Sequence, residues 1–175
     1  LLDWRIGLVN FFSANLLWWY SNHLKRLPFV GNLAVAFLTG VSILVVDLLY
    51  KQMNSLVLGY ALFAFAMTLV REVIKDMEDW KGDNTFGCRT LPIVWGMRKT
   101  KQLLYVLLVL FVLTVVVINQ NYVHLPLYYF TIFLFIPLGY LVARLIRADT
   151  IRDFERLSSF CKYLMVLGIF TMALV

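Results

Sequence analysis

Charged residues and cysteines are both scarce in this sequence of 175 residues. Only 15% of the residues are charged and 62% are hydrophobic, whereas about a quarter of the residues in soluble domains are charged. This shortage excludes an ordinary soluble domain. The two cysteines, Cys88 and Cys161, are too few for a disulfide framework, and they lack the paired spacing of a zinc or redox site.

The sequence also lacks a recognisable secretory signal peptide. It starts with Leu1, and no small-residue cleavage site follows an apolar region. It ends at Val175 within an apolar run. Because both ends resemble cuts, we expect the chain to be a fragment of a longer polypeptide.

The sequence contains long apolar runs without charged residues. Residues 103–118 (LLYVLLVLFVLTVVVI) and 125–143 (LPLYYFTIFLFIPLGYLVA) contain no charged residue. Runs of this kind match a bilayer core about 30 Å thick. Hydropathy therefore predicts an all-α, polytopic transmembrane helical bundle that forms a single domain over residues 1–175. Its six predicted spans are roughly 3–20, 30–48, 55–74, 102–119, 125–145 and 157–175.

The basic residues are distributed unevenly along these spans. If the six spans alternate, loops 21–29, 71–101 and 144–156, together with Lys162, hold 14 of the 16 Lys and Arg residues. The opposite side holds the other two, Arg5 and Lys51. This bias predicts that the three basic loops are cytoplasmic. The net charge of +6 then reflects topology and attraction to anionic membrane lipid, and we expect no nucleic-acid partner.

Carboxylates are concentrated in residues 71–83, REVIKDMEDWKGD. Glu72, Asp76, Asp79 and Asp83 are spaced by 4, 3 and 4 residues, which places them on one face if the third helix continues beyond the membrane surface. Converging carboxylates repel each other unless a cation lies among them. Oxygen ligands of this kind favour Mg²⁺, which fills its remaining positions with waters and phosphate oxygens. The pattern therefore indicates a Mg²⁺–diphosphate site.

The geometry and the role of this acidic stretch each need a further statement. Gly82 is expected to loosen the helix before Asp83, so that Asp79 and Asp83 form a pair at a frayed end. The spacing alone is also typical of a solvated helix end stabilised by ion pairs between residues four apart.

Two further stretches carry candidate phosphate-binding residues. Residues 20–32, YSNHLKRLPFVGN, place Lys25 and Arg26 at the end of the first span. Such cations either anchor the helix at the interface or neutralise phosphate oxygens, Arg as a bidentate fork and Lys as a point charge. Residues 84–96, NTFGCRTLPIVWG, include Arg89 between a glycine and a proline. This loop either folds back over a cavity or simply connects two spans.

Taken together, these stretches resemble the UbiA superfamily of intramembrane prenyltransferases, whose members have about nine spans. REVIKDMEDWKGD followed by GCRTLP is similar to the family's second aspartate-rich motif. Asp79 and Asp83 match its DxxxD pair, and Asp76 matches an additional acid of one branch. YSNHLKRLPFVGN resembles the family's Tyr-Ser-x-x-Leu-Lys-Arg segment. The first aspartate-rich motif has no counterpart here, so the chain is expected to lack the N-terminal spans and to be inactive alone.

The resemblance implies a Mg²⁺-dependent transfer of a polyprenyl group from its diphosphate to a lipophilic acceptor. The closest match in motif is geranylgeranylglycerol-phosphate geranylgeranyltransferase. The implied catalytic residues are Lys25, Arg26, Asp79 and Asp83. The implied diphosphate-binding residues are Tyr20, Lys25, Arg26 and Arg89, and the implied metal ligands are Asp76, Asp79 and Asp83.

Two other functions fit the same residues. Aromatic-acceptor prenyltransferases of the quinone and tocopherol type have similar loops, so the motifs leave the acceptor open. A non-catalytic membrane scaffold or transporter, in which the acids only solvate a loop, also fits the composition. A CDP-alcohol phosphotransferase is excluded, because its DG…AR…G…D…D array is absent from the sequence.

Overall fold

A computed structural model describes residues 4–50, 55–120 and 131–172, without the side chains of residues 131, 133, 171 and 172. These residues form seven α-helices and contain no strand, so the predicted all-α class is confirmed. The helices are α1 (Trp4–Asn22), α2 (Val30–Tyr50), α3 (Ser55–Thr85), α4 (Leu91–Trp95), α5 (Met97–Ile118), α6 (Ile136–Arg147) and α7 (Ile151–Met172). A 3₁₀ turn, Leu24–Arg26, joins α1 to α2, and a π-helical turn, Thr131–Phe135, leads into α6.

Within the described ranges, three helices are long and apolar enough to cross a membrane. They are α2, α3 and α5, which correspond to the second, third and fourth predicted spans. The prediction of six spans is therefore not confirmed. Residues 125–130 of the fifth predicted span lie outside the described residues.

The longest of the described helices, α3, continues past its predicted span. Its 31 residues extend about 46 Å at a rise of 1.5 Å per residue, whereas the hydrocarbon core of a bilayer is about 30 Å thick. The uninterrupted apolar run ends at Val70 and the first charged residue of the helix is Arg71, so the acidic segment, residues 71–85, lies beyond the charge-free part. The expectation that Gly82 loosens the helix before Asp83 is wrong, because the helix runs on to Thr85.

A backbone turn beyond the acidic segment explains where α3 ends. The Cys88 amide donates to the Asp83 carbonyl oxygen at 2.9 Å, and the Gly87 amide donates to the Asn84 carbonyl oxygen at 3.4 Å. Gly87 has a positive φ of 68°, and this pair of bonds with a left-handed glycine is the Schellman termination. Gly87, not Gly82, is therefore the glycine that ends the helix.

The apolar core lies between α3, α5, α6 and α7. Its most buried members are Met67, Val70, Val73, Ile74 and Met77 of α3, Leu104 of α5, Leu141 and Leu145 of α6, and Cys161 of α7. Cys161 is thus a packing residue, in agreement with the absence of a paired cysteine motif.

Small residues allow α2 to approach α3 closely. A Cβ atom at Gly40 would meet the Ala61 carbonyl oxygen of α3 at 3.2 Å, and Ala36 is completely buried. The two helices run in opposite directions. Their close contact therefore places the start of α2 beside the acidic end of α3.

Gly31 allows the 3₁₀ turn to lie against the start of α2. A Cβ atom at this position would be 2.8 Å from the Leu24 carbonyl oxygen and 3.3 Å from the Cα atom of Lys25. Both neighbours are backbone atoms, which cannot rotate away. The position of the basic turn therefore depends on the absence of a side chain at residue 31.

We expect Gly31→Ala to destabilise the protein by about 1–3 kcal/mol, because the added methyl group overpacks against backbone. The matched control is Gly139→Ala in α6, where a Cβ atom would meet no described atom within 4 Å and alanine favours the helix. Thermal unfolding of the detergent-purified full-length protein measures both. An unfolding temperature for Gly31→Ala equal to that of the wild type would contradict the tight contact.

Candidate active site

The acidic residues of α3 share one face of an unbroken helix. Glu72, Asp76, Asp79 and Asp83 lie within α3, and their 4-3-4 spacing aligns them along its axis. Met77, on a different face, is completely buried in the core. The acidic face is therefore directed away from the core.

Asp76 connects this face to α2. Asn32 Nδ2 donates a hydrogen bond to Asp76 Oδ2 at 2.8 Å. Burial is the main reason that the pKa of Asp76 is raised to about 7; the Asn32 bond opposes the rise, and the negative charges of Asp83, Glu72 and Asp79 add to it. The ionised form of Asp76 is thus disfavoured by its surroundings, and Asn32 compensates for this only in part.

Lys75 compensates part of the charge nearby. Its Nζ atom is 2.6 Å from Glu78 Oε1 and 3.1 Å from Asp79 Oδ1, and Arg71 pairs with Glu72. These ion pairs are the ones that a solvated helix end would also form. Their presence therefore does not separate that interpretation from a metal site.

The loop after α3 folds back onto the basic turn. The Arg89 amide donates to the Arg26 carbonyl oxygen at 3.2 Å, so residues that are distant in sequence meet at the same end of the bundle. Lys25, Arg26 and Arg89 are all exposed, and none of them forms an ion pair with a described residue. Their positive charges are free to meet an anion.

Tyr20 lies at the end of α1, next to the acidic face. It is half-buried, and its hydroxyl group is within electrostatic reach of Glu72 and Asp76. The structure therefore gathers elements of all three candidate stretches at one end of the bundle.

The three predicted metal ligands do not form a compact cluster. Of the residues that the structure describes, no three His, Cys, Asp or Glu side chains are close enough together to hold one metal ion. Mg²⁺ commonly takes only one or two carboxylates and completes its shell with waters and phosphate oxygens. The row of partly compensated carboxylates fits such an ion, and the assignment of Asp76, Asp79 and Asp83 as its ligands stays a prediction.

Two polar residues at the site were missed in the sequence. Asn32, the hydrogen-bond donor to Asp76, directly follows Gly31 at the start of an otherwise apolar helix, and this lone amide was a usable signal. Thr90 immediately precedes α4, whose first turn contains Pro92. A threonine followed by a proline two residues later is a common pattern at a helix start.

Two cavities in the described part of the chain are lined by residues outside this site. One of about 660 Å³ is lined by Trp80, Lys81, Asp149, Thr150, Ile151, Arg152 and Phe154. Thr150 and Asp153 cap α7 next to it, with the Thr150 amide 3.1 Å from Asp153 Oδ2 and the Asp153 amide 3.3 Å from Thr150 Oγ1. A more apolar groove of about 700 Å³ lies between α1 and α2.

Comparison with known proteins places these motifs in a family. A family model described as the UbiA prenyltransferase family matches residues 1–170. The chain belongs to the UbiA prenyltransferase family. The resemblance inferred from residues 20–32 and 71–92 is thereby confirmed.

Curated proteins of the same family are similar to parts of the chain, and those described below are named digeranylgeranylglyceryl phosphate synthase. The one from Methanosphaera stadtmanae is 42% identical over 102 residues, which are 58% of this chain and 37% of that protein. The one from Methanothermobacter thermautotrophicus is 43% identical over 93 residues, 53% of this chain and 32% of that protein. The one from Saccharolobus solfataricus is 29% identical over 153 residues, 86% of this chain and 54% of that protein.

The chain thus spans about a third to a half of the length of these relatives. No solved structure matches it at a significant level.

The Asn32–Asp76 contact predicts a pH-dependent effect on stability. The pKa of Asp76 in the folded state, about 7, lies above its ordinary value of 3.8. The contribution of Asp76 to the free energy of unfolding is therefore fully present below about pH 3.8, and it is lost as the pH rises through about 7. Above pH 7 the charged carboxylate depends on Asn32, and losing that donor costs about 1–3 kcal/mol. We expect Asn32→Ala to lower the unfolding temperature more at pH 8 than at pH 5.5.

The matched control is Asn22→Ala. Asn22 Nδ2 donates to the Trp18 carbonyl oxygen at 2.9 Å on the exposed end of α1, with no carboxylate involved. Its loss should change the unfolding temperature equally at both pH values. Parallel losses for both variants would show that Asn32 does not act through the Asp76 charge.

Proposed function

We propose that the protein carrying this chain is an intramembrane prenyltransferase that uses Mg²⁺ and transfers a polyprenyl group from its diphosphate to a glycerol-phosphate-type lipid. The observation that carries the proposal is the family match over residues 1–170. The shared name of the relatives supports geranylgeranylglyceryl phosphate as the acceptor. Because the chain covers only part of their length, the activity is proposed for the whole protein.

The carboxylates of α3 form the metal-binding part of the proposed site. Asp76, Asp79 and Asp83 would hold Mg²⁺ together with waters and diphosphate oxygens. A bound ion neutralises the negative charge that develops on the departing diphosphate. The position of these acids on one face of α3 supports this assignment, and a bound cation would offset the burial and the neighbouring negative charges that raise the pKa of Asp76.

The basic residues form the diphosphate-binding part. Lys25, Arg26 and Arg89 would contact the phosphate oxygens, Arg through paired N–H groups and Lys through a single charge. The hydrogen bond between the Arg89 amide and the Arg26 carbonyl oxygen supports this role, because it holds the two segments side by side. Tyr20 would donate a hydrogen bond from its hydroxyl group to the same oxygens. Hydrogen-bond donors that are already in position lower the activation barrier, because they stabilise the negative charge that develops on the departing diphosphate.

The proposed reaction exchanges one carbon–oxygen bond for another. The bond between the allylic carbon and the diphosphate breaks, and its electron pair leaves with the diphosphate oxygen. The acceptor hydroxyl oxygen bonds to that carbon, and its proton passes to the departing diphosphate. The products are an ether lipid and diphosphate. The charged residues of this chain act on the departing group, so their loss should affect the chemical step more than acceptor binding.

We also propose that this end of the bundle faces the cytoplasm. The support is the bias of basic residues: the loops that share this side in the six-span topology, together with Lys162, hold 14 of the 16. Anionic lipid headgroups at the same surface would complement the net charge of +6.

Asp79→Asn and Asp83→Asn are each expected to reduce prenyl transfer by about 10²–10³-fold, the usual effect of losing one group that stabilises charge in a transition state. The measurement is transfer of radiolabelled geranylgeranyl groups to geranylgeranylglyceryl phosphate in membranes containing the full-length protein, with and without Mg²⁺.

Glu155→Gln is the matched control, since Glu155 is an exposed acid on α7 outside the site, and it should keep full activity. Transfer that survives the loss of both Asp79 and Asp83 would overturn the site assignment. Transfer to an aromatic acceptor alone would leave the enzyme class intact and replace the lipid acceptor. No transfer by the wild type would favour a scaffold or transporter.

A further inference from the structure

Helices α6 and α7 pack against each other in opposite directions. Only residues 148–150 separate Arg147, the last residue of α6, from Ile151, the first residue of α7, and so short a connection makes neighbouring helices antiparallel. The rings of Tyr140 and Phe160 are in contact across the pair, with their centroids 5.0 Å apart. This contact defines which residues of the two helices lie beside each other.

Arg144 and Arg156 lie one helical turn beyond the ring contact. Arg144 follows Tyr140 by four residues on α6, and Arg156 precedes Phe160 by four residues on α7. Residues four apart share a helix face. Because the helices are antiparallel, both arginines are displaced in the same direction, by about 6 Å along the helix axes. They therefore lie at the same level of a surface that we call the α6–α7 groove, defined by Tyr140, Arg144, Arg156 and Phe160.

The positive charges of these two arginines are not balanced by ion pairs. Both side chains are exposed, and neither forms an ion pair with a described residue. Asp153 is within electrostatic reach of Arg144, but its carboxylate caps α7 and accepts bonds from the amide and the hydroxyl group of Thr150 at 3.1 and 2.7 Å. Two like charges at one level of a groove repel each other, and an anion bound between them would remove that repulsion.

The α6–α7 groove lies at the boundary between apolar and charged residues. Arg144 directly follows the charge-free run 125–143, and Arg156 directly precedes the last predicted span, 157–175. Tyr140 is 53% exposed and lies on the apolar side of the arginines. Exposed tyrosines are enriched at the level where the hydrocarbon core of a bilayer meets its headgroups. The unbalanced charges are therefore at the depth of lipid phosphate groups.

We propose that the α6–α7 groove binds the phosphate group of an anionic membrane phospholipid. Arg144 and Arg156 would share its oxygens through their paired N–H groups, and its hydrocarbon chain would lie against Tyr140. Basic pockets between transmembrane helices bind lipid headgroups in the same way. None of the candidate active-site residues lies on α6 or α7, so the proposal does not depend on prenyl transfer.

The test uses the full-length protein purified in an uncharged detergent and titrated with dioleoyl phosphatidylglycerol, with the rise in unfolding temperature as the readout. Arg144→Gln and Arg156→Gln should each raise the lipid concentration that gives half of the maximal rise by about fivefold, and the double variant by about thirtyfold. Dioleoyl phosphatidylcholine, which has the same chains and no net charge, should stabilise the wild type much less.

The matched control is Arg98→Gln. Arg98 is an exposed arginine in the first turn of α5, also without an ion pair to a described residue. Its midpoint should stay within about twofold of the wild type, because a distant exposed charge is screened. Without lipid, all of these variants should unfold at the wild-type temperature, since no ion pair to a described residue is lost.

Native mass spectrometry of the same samples counts the bound lipids. Because both arginines would contact one phosphate group, each single variant and the double variant should retain one phosphatidylglycerol fewer than the wild type. A loss of two lipids in the double variant would show two separate sites and overturn the shared one.

Other outcomes would also overturn the proposal. A wild-type midpoint in the double variant, or an equal shift in Arg98→Gln, would show that the groove has no special affinity. Equal stabilisation by glycerol phosphate would show a site for a soluble anion. If geranylgeranylglyceryl phosphate bound the groove at far lower concentrations than phosphatidylglycerol, the occupant would be the proposed acceptor and not a membrane phospholipid. A lower unfolding temperature of the double variant without lipid would show that the arginines stabilise the helix packing itself.

Discussion

The continuity of α3 is the constraint on which the rest of the site depends. One helix of 31 residues supplies buried apolar side chains to the core and then presents four carboxylates on a single face. Its length exceeds the thickness of a bilayer core, so the charged part is carried outside the apolar layer without a break in the backbone. The hydrogen bonds between Cys88 and Asp83 and between Gly87 and Asn84 end the helix only after the last of these acids. A helix that ended at Gly82 would have left Asp83 without a defined direction.

The other half of the site is positioned by backbone contacts. Gly31 leaves room for the basic turn to pack against α2, and the Arg89 amide ties the loop after α3 to Arg26. The cationic side chains remain exposed, which suits residues that meet an anion arriving from solvent or the membrane surface. The acidic face is more enclosed, and the raised pKa of Asp76 is chiefly the consequence of burial, to which the negative charges of Asp83, Glu72 and Asp79 add.

The fold class and the family could be predicted from residue patterns. The apolar runs indicated helices that span a membrane, and α2, α3 and α5 are long and apolar enough to do so. The two motifs indicated the UbiA prenyltransferase family, which the match over residues 1–170 confirms. Gly82 was assigned the wrong role, because one glycine within a helix costs only about 1 kcal/mol and the helix continues past it to Thr85. The metal ligands, the acceptor and the orientation in the membrane stay predictions.

The sequence by itself determined the membrane environment of the protein, its all-α class and the types of charged residue at the site. These follow from hydropathy and from short-range spacing, which act within one helix or one loop. Only the tertiary structure decided that Asn32 supports Asp76 and that Arg89 meets Arg26. These contacts join residues 44 and 63 positions apart. They exist because close packing of α2 on α3 and the reversal after Gly87 bring those segments together, and no local pattern in the sequence records that proximity.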